Sequence, residues 1–218
     1  MAKILKEYPS IVLIPEEVDG KIDFVRVFGR PGPVHIEIGT GKAAFLLNQA
    51  RAHLEVNLLG IERASKYYRY AVDRIGRWGL TNVRIIRTDA AGFLANSIPD
   101  DSVDCFHIYF PDPWPKRRHN KRRFLCPANL EHLLRTLKTG GQLKIATDHT
   151  DYFQLIKELI SARSLAVAGT ATPCSTWFEE IEFLPAAGAD KSERLGTNFE
   201  RKYIKEQRPI YTLAVRKT

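Results

Sequence analysis

The hydrophobic pattern between residues 34 and 161 alternates between short apolar runs and longer amphipathic segments. The apolar runs are rich in β-branched residues and predict five strands, at Val34–Ile38, Val56–Ile61, Val83–Ile86, Val103–Tyr109 and Gln142–Thr147. The amphipathic segments predict four helices, at Lys42–His53, Ala64–Trp78, Phe124–Lys138 (ended by Gly140 and Gly141) and Asp148–Ser161. Strands that alternate with helices in this way are typical of a parallel, doubly wound α/β sheet.

The two ends of the chain depart from this alternation. Residues 1–30 are interrupted by two prolines and a glycine, and a Gly/Pro-rich turn follows at 29–33. We therefore expect an N-terminal extension over 1–30 and one domain over 31–218. Near the other end, the pattern predicts a helix at Glu200–Gln207 and a strand at Pro209–Arg216, which we expect to join the sheet antiparallel to the rest. Residues 163–195 show no interpretable pattern.

Composition and charge narrow the class of protein. A chain of 218 residues favours a single domain with a sizeable core, and a hydrophobic fraction of 44% is typical of a globular protein. The net charge of +8 and the pI of about 9.4 favour a polyanionic partner, because Lys and Arg bound to phosphates release counterions. The sequence shows neither a basic amphipathic helix nor a lipidation signal, so we expect nucleic acid rather than a membrane.

The positions of the cysteines and histidines predict neither a disulfide framework nor a metal site. Cys105, Cys126 and Cys174 are odd in number and scattered, which predicts a reducing, cytoplasmic environment without a disulfide framework. The six histidines show no i,i+4 pair and no ligand spacing with the cysteines, so no metal is expected.

Residues 37–43, Glu-Ile-Gly-Thr-Gly-Lys-Ala, follow a predicted strand and precede a predicted helix, which is the context of a nucleotide-binding loop. Gly39 and Gly41 allow a tight turn and a close approach of backbone to ligand. Glu62 ends the second strand roughly twenty residues later, where such folds place an acid that accepts hydrogen bonds from the ribose. Asp89 ends the third strand and is placed to accept from an adenine amino group.

The acid that precedes the glycines distinguishes between cofactors. A dinucleotide places its pyrophosphate at the helix N-terminus, where the carboxylate of Glu37 would repel it. The same carboxylate suits the ammonium and sulfonium groups of S-adenosylmethionine. The sequence therefore favours a methyltransferase, with an NAD-dependent oxidoreductase as the alternative.

A second informative segment covers residues 110–123. Its first half is a proline-rich turn that holds Asp112 beside Trp114, which either stacks on a base or only packs. Its second half contains six Lys/Arg in eight residues. We expect phosphate contacts from five of these side chains, Arg117, Arg118, Lys121, Arg122 and Arg123.

These segments together resemble those of the bacterial tRNA (guanine-N7-)-methyltransferases. The similarity covers most of residues 22–218 and is carried by Glu37–Gly41, Gly60–Glu62, Phe110–Lys116, Thr147–Asp148 and Thr197–Lys202. It implies a Rossmann-like class I methyltransferase fold with a reversed last strand. It also implies methyl transfer from S-adenosylmethionine to guanine in the tRNA variable loop, with S-adenosylhomocysteine as product.

The resemblance also implies roles for individual residues. It makes Asp112 the catalytic residue and implies donor binding by Glu37, Gly39, Gly41, Glu62, Asp89 and Asp112. It implies substrate contacts by Lys116, Asp148, Thr197, Asn198, Phe199 and Glu200. Asp148, Thr197 and Asn198 are alternatively helix caps. Ala43 departs from the family pattern, which often has a third glycine there, and we expect slight crowding from its methyl group.

Two further alternatives remain open from the sequence. Asp-Pro-Pro-Tyr/Trp motifs occur in enzymes that methylate exocyclic amino groups, but the order here is Pro111-Asp112-Pro113-Trp114. A non-catalytic tRNA-binding module is the other alternative, although carboxylates weaken RNA binding unless they serve another purpose. The set of motifs predicts activity without an obligatory protein partner.

Overall fold

The structure is a computed structural model that describes residues 5–114, 116–165 and 177–218. It contains seven α-helices within these ranges: α1 (Phe24–Phe28), α2 (Ala44–Ala52), α3 (Ser65–Gly76), α4 (Ala90–Asn96), α5 (Pro127–Thr136), α6 (Thr150–Leu165) and α7 (Asn198–Lys205). The strands described are β1 (Val12–Leu13), β2 (Val34–Ile38), β3 (Asn57–Ile61), β4 (Val83–Ile86), β5 (Val103–Tyr109), β6 (Leu137–Thr147), β7 (Phe178–Ile181) and β8 (Tyr211–Lys217).

All eight strands form one sheet in the order β1-β4-β3-β2-β5-β6-β8-β7. Strands β1 to β6 pair in parallel, and β8 runs antiparallel to both β6 and β7. The predicted fold class, a mostly parallel Rossmann-like sheet with an antiparallel C-terminal strand, is confirmed. The strand order reverses between β2 and β5, and sheets of this kind bind ligands at the carboxyl ends of the strands beside such a reversal.

The core lies on both faces of the central strands. Every residue of β3 is buried, as expected for a parallel strand that is covered on both faces. Gly60 in β3 allows α2 to pack closely, since a Cβ at that position would lie 2.7 Å from Leu46 Cδ2. On the other face, Phe106, Ile108 and Leu143 belong to the largest apolar cluster.

Several elements were not predicted from the sequence. β1 and β7 have two and four residues, and α1 and α4 have five and seven, which is too short for a clear periodic pattern. The prediction that Gly140 and Gly141 end a helix is wrong. They lie inside β6, where pairing with β5 shifts register between Leu137 and Gln142, and Gly140 has φ +80°.

The described part of the N-terminal segment packs against the main sheet. The backbone N–H of Lys6 donates to Asp73 Oδ1 at 3.0 Å, and β1 extends the sheet beside β4. Phe24 and Phe28 are buried in the main apolar cluster. The domain boundary at residue 30 stays a prediction. Within the described ranges, no helix combines the length and apolarity needed to cross a membrane.

Candidate active site

The polar residues predicted to form a site follow the carboxyl ends of neighbouring strands. The loop of residues 37–43 connects β2 to α2, Glu62 follows β3, and Asp89 precedes α4. The turn that contains Asp112 follows β5, and Asp148 follows β6. Because β2 to β6 are parallel, all these residues lie at one edge of the sheet, on both sides of the strand-order reversal.

The glycine loop is held in left-handed backbone conformations. Gly39, Gly41 and Ala43 have φ values of 79°, 55° and 53°. A Cβ on Gly39 would meet no atom within 4 Å, so there is room for a side chain. Glycine is favoured at this position because of its left-handed backbone conformation. We expected the methyl group of Ala43 to cause slight crowding. The feature that the structure shows at Ala43 is instead its backbone: this fully buried alanine adopts a left-handed conformation that favours glycine.

Glu37 at the base of this loop is a buried acid. Its side chain is 5% exposed, and the Thr40 hydroxyl donates a hydrogen bond to its Oε2. Burial raises the pKa of Glu37 from 4.5 to about 8, and the Glu62 carboxylate adds to that rise. The group is therefore mostly protonated near neutral pH, and a cationic ligand placed against it would draw out the proton.

Glu62 and Asp89 both stabilise the loops that surround them. Glu62 accepts from the backbone N–H of Gly41 at 2.8 Å and from that of Ala64 at 2.7 Å, which ties the glycine loop to the start of α3. Asp89 caps α4 by accepting from Gly92 N at 3.1 Å. Carboxylate oxygens have several lone pairs, so these bonds leave acceptor capacity for a ligand.

The turn that contains Asp112 is strained at both ends. Phe110 and Trp114 have φ values of 52° and 42°, which non-glycine residues rarely adopt and which often mark functional sites. Asp112 is exposed and lies close to two tyrosines. Burial raises the pKa of Tyr152 to about 12 and also raises that of Tyr203, and the negative charge of Asp112 adds to both effects.

Three aromatic rings cluster beside this turn. The Phe110 ring lies 5.2 Å from the Tyr203 ring and 6.1 Å from the Phe199 ring, measured between centroids. Both partners come from α7, and Phe199 is 50% exposed. The cluster therefore presents one accessible ring close to Asp112.

The polar residues of the Thr197–Lys202 string have different surroundings. Thr197 caps α7 and accepts from Glu200 N, which confirms the capping alternative for Thr197, whereas Asn198 is the first helical residue. Glu200 is buried, and its carboxylate accepts from three backbone N–H groups, those of Arg194, Leu195 and Gly196, at 2.7–2.9 Å. Thr197 and Glu200 thus order the preceding loop, while Asn198 and Phe199 are exposed.

Asp148 forms an ion pair with Arg208, whose guanidinium lies 4.2 Å from the Tyr203 ring centroid. It does not cap α6: the imidazole Nδ1 of His149 accepts from Tyr152 N at 3.3 Å instead. The pair therefore links the segment before β8 to the same edge of the sheet.

The basic run is mostly exposed, with one exception. Lys116, Arg118, Lys121 and Arg122 are exposed, and the backbone of Arg117 belongs to a 3₁₀ helix, Arg117–Arg122. Arg123, however, is only 8% exposed; its Nε donates to the Pro113 carbonyl at 2.7 Å, and its guanidinium lies 4.9 Å from the Tyr152 ring centroid. The Arg123 guanidinium is thus engaged inside the protein, and its phosphate contact stays a prediction.

Trp114 packs within the protein. The Arg122 guanidinium lies 5.0 Å from the indole centroid, and the His119 ring meets it edge-on at 5.8 Å. These contacts show that the half-buried Trp114 packs against its own segment, and its stacking on a base stays a prediction.

Comparison with known proteins places the chain in a family. A family model described as "Putative methyltransferase" matches residues 31–213. The chain belongs to this methyltransferase family. A tRNA (guanine-N(7)-)-methyltransferase of Rhodopirellula baltica is 35% identical over 212 residues, which is 93% of this chain and 73% of that one. A protein of the same name from Streptococcus thermophilus (strain CNRZ 1066) is 30% identical over 95% of this chain and 91% of its own.

Solved structures support the fold of this methyltransferase. A SAM-dependent methyltransferase from Aquifex aeolicus has a TM-score of 0.54 at 14% identity and covers 89% of this chain and 87% of its own. A 30S ribosomal A1408 methyltransferase from an uncultured bacterium also has a TM-score of 0.54, at 15% identity, over 91% and 95% of the two chains. At these identities the likeness shows the fold alone.

Within the described ranges, the methyltransferase contains one cluster of possible metal ligands that the sequence pattern did not reveal. Ligand atoms of His35, Cys105 and His107 lie within 4.8 Å of one another, although about seventy residues separate the two strands in the chain. Burial lowers the pKa of His35 to about 4 and raises that of Cys105 to about 12. The protonated thiol and the nearby charge of Lys144 disfavour a cation there, and the expectation of no metal stays a prediction.

Proposed function

We propose that this methyltransferase transfers a methyl group from S-adenosylmethionine to N7 of a guanine in the variable loop of tRNA, which yields S-adenosylhomocysteine. One observation carries the proposal: a glycine loop with a buried acid and the strained Asp112 turn meet at one edge of the sheet. The chain also aligns over more than nine tenths of its length with proteins named tRNA (guanine-N(7)-)-methyltransferase.

The donor would be held by the residues around the glycine loop. Gly39 and Gly41 let the backbone approach it, and Glu37 supplies a negative charge for its ammonium and sulfonium groups. Glu62 accepts from the ribose hydroxyls and Asp89 from the adenine amino group. Glu62 is well placed for this role because two backbone N–H groups already fix its orientation.

The reaction needs little acid–base chemistry. Guanine N7 has an in-plane lone pair and no proton, so it attacks the sulfonium methyl directly while the C–S bond breaks. Catalysis then consists mainly of aligning N7, the methyl carbon and sulfur. The product ring is cationic, and we assign to Asp112 the electrostatic stabilisation of that developing charge. The electrostatic effect of Asp112 on Tyr203, a member of the aromatic cluster where a base would enter, supports this assignment.

Residues at the same edge of the sheet as Asp112 would bind the base. Phe199 offers an accessible ring for stacking, and Asn198 and Lys116 are exposed polar residues. Asp148, whose side chain is only 8% exposed, would act from within its ion pair with Arg208. In this proposal Thr197 and Glu200 act through the loop that they order, rather than by touching the guanine.

Phosphate contacts from the basic run would offset the cost of extruding the base. Unstacking a nucleotide costs on the order of a few kcal/mol. Arg118, Lys121 and Arg122 are exposed and lie in the segment that follows Asp112 in the chain, and we add Arg117 from its position in the same 3₁₀ helix. Arg123 is left out because it is buried. A cytoplasmic location and activity without a protein partner stay predictions.

Substitution of Asp112 tests this assignment. We expect Asp112→Ala to lower the rate of methyl transfer to a tRNA transcript by roughly 10²–10³-fold, the range typical of a lost electrostatic contact in an active site. Its affinity for tRNA should stay within about twofold of that of the unaltered protein, because no phosphate contact is removed. Asp19→Asn, at an exposed position in the N-terminal segment, is the matched control. Transfer at the unaltered rate in Asp112→Ala would refute the role of Asp112.

A further inference from the structure

The first turns of α3 carry a second cationic surface that the basic run does not include. Residues 63–77 contain five Lys/Arg and one acid, Asp73. The side chain of Asp73 is 1% exposed and is paired with Arg77 at 2.7 Å, so it offsets the charge of Arg77 rather than that of Lys66 or Arg69. The exposed side of α3 is therefore strongly basic and its other side is apolar, so the expectation that the chain has no basic amphipathic helix is wrong for this segment.

The surface borders the donor crevice on the side opposite the basic run. α3 starts four residues after the end of β3, whereas the basic run follows β5. β3 and β5 lie on either side of β2, so the two cationic segments leave the sheet about 10 Å apart, or two strand spacings, at the same edge. The site is thus flanked by positive charge on both sides.

Its side chains are of the kind that contact RNA. Lys66 and Arg69 are exposed, and between them Tyr67 is 42% exposed. Lys42 lies above the Tyr70 ring, with Nζ 5.5 Å from the centroid. Cations interleaved with accessible aromatic rings suit phosphates and unstacked bases.

Acidic side chains near α3 determine which of its cations are the best positions to substitute. Arg63 lies 3.6 Å from Asp89, which offsets part of its charge, and Glu7 lines the same cavity as Tyr68 and Arg69. Lys66 and Arg69 are the exposed cations at the centre of this face, so they are the positions to test.

We propose that the exposed face of α3, centred on Lys66, Tyr67 and Arg69, binds the RNA strand that flanks the target guanine, on the side away from the basic run. This proposal rests on the proposed function. The alternative of an anionic membrane is less suited, because the apolar side of α3 is buried: Ala71, Val72 and Ile75 are at most 5% exposed. Binding on both sides of the crevice holds the tRNA while its base leaves the stack.

The test compares Lys66→Gln/Arg69→Gln with a control, Arg26→Gln/Lys157→Gln, which removes two cations from exposed positions on α1 and α6. Affinity for a tRNA transcript is measured by fluorescence anisotropy over a range of salt concentrations. The α3 variant should bind roughly tenfold more weakly near 100 mM salt, and the slope of log K against log salt should fall by about 1.5, since each lost phosphate contact removes about 0.7–0.9. The control should stay within about twofold, and thermal unfolding and S-adenosylhomocysteine binding should be unchanged in both variants.

The outcomes separate this inference from the proposed function. A variant that binds tRNA as tightly as the control overturns the inference, even when the unaltered protein methylates tRNA. A variant that binds anionic phosphatidylserine vesicles more weakly but tRNA equally well also overturns it, in favour of a membrane. Weakened tRNA binding with a reduced salt slope supports the surface, even if no methyl transfer is found and the proposed function fails.

Discussion

Substitution of Glu37 by glutamine tests the donor site through two effects of opposite sign. Glu37 is 5% exposed, and burial raises its pKa from 4.5 to about 8. Because the pKa in the folded state exceeds that in the unfolded state, the folded state binds this proton more tightly. The contribution of Glu37 to stability is therefore full below about pH 4.5 and is lost progressively as the pH rises to about 8. Between pH 4.5 and pH 7, about 2.5 pH units, the protein loses about 3 kcal/mol of this stabilisation, because each pH unit corresponds to about 1.4 kcal/mol.

Glutamine keeps the shape of the side chain and removes its charge. We expect Glu37→Gln to raise the free energy of unfolding by about 3 kcal/mol near pH 7, with a smaller gain at lower pH and none near pH 4.5. Binding of S-adenosylmethionine should weaken instead. In the unaltered protein, Glu37 must release its proton to pair with the cationic donor, so donor affinity should rise about tenfold per pH unit from about pH 6 to pH 7.5. In Glu37→Gln this pH dependence should disappear.

The assay combines denaturant unfolding across this pH range with calorimetry in two buffers of different ionisation enthalpy, which counts protons released on binding. We expect nearly one proton per bound donor at about pH 7 in the unaltered protein and none in the variant. Glu55→Gln, at an exposed acid, is the control. Lower stability of Glu37→Gln at every pH, or donor binding without proton release in the unaltered protein, would refute this reasoning.

Three further substitutions test the surroundings of the site. Glu200→Gln should lower stability by about 2–4 kcal/mol in denaturant unfolding, because three backbone N–H groups lose a charged acceptor; an unchanged midpoint would contradict that role. Arg208→Ala should lower the free energy of unfolding by about 1–2 kcal/mol and raise the KM for tRNA, because Asp148 loses its ion-pair partner. A KM equal to that of the unaltered protein would show that the ion pair does not contribute to substrate binding. Gly76→Ala should cost about 1–3 kcal/mol, because its Cβ would lie 2.0 Å from the Tyr8 ring, and Tyr8→Ala in the same chain should restore most of that loss.

The sequence predicted the strands that are buried on both faces along their whole length. Strands such as β3 are buried along their whole length, so they appear as uninterrupted apolar runs, and the alternation with helices then determines a parallel sheet. β7 was missed because only Phe178 of its four residues is buried, which leaves no alternation to detect. Gly140 and Gly141 were misassigned because a glycine pair has the same appearance at a helix end and at a strand irregularity.

The site was predictable in its location but less so in its contacts. Acids at strand ends must meet at one edge of a parallel sheet, so the sequence sufficed to bring Glu37, Glu62 and Asp89 together. The ion pair of Asp148 with Arg208 joins residues sixty positions apart, which no local pattern reveals. The burial of Arg123 could not be predicted either, because a run of cations does not show which side chain points inward; here Arg123 donates to the Pro113 carbonyl.

The most direct test of the account is the identity of the methylated nucleoside. The purified protein is incubated with labelled S-adenosylmethionine and an unmodified tRNA transcript, and the digested product is analysed by position. We predict labelled N7-methylguanosine in the variable loop, recognisable because this base is cationic and alkali-labile. Label in N2-methylguanosine, or tRNA binding without any transfer of label, would contradict it.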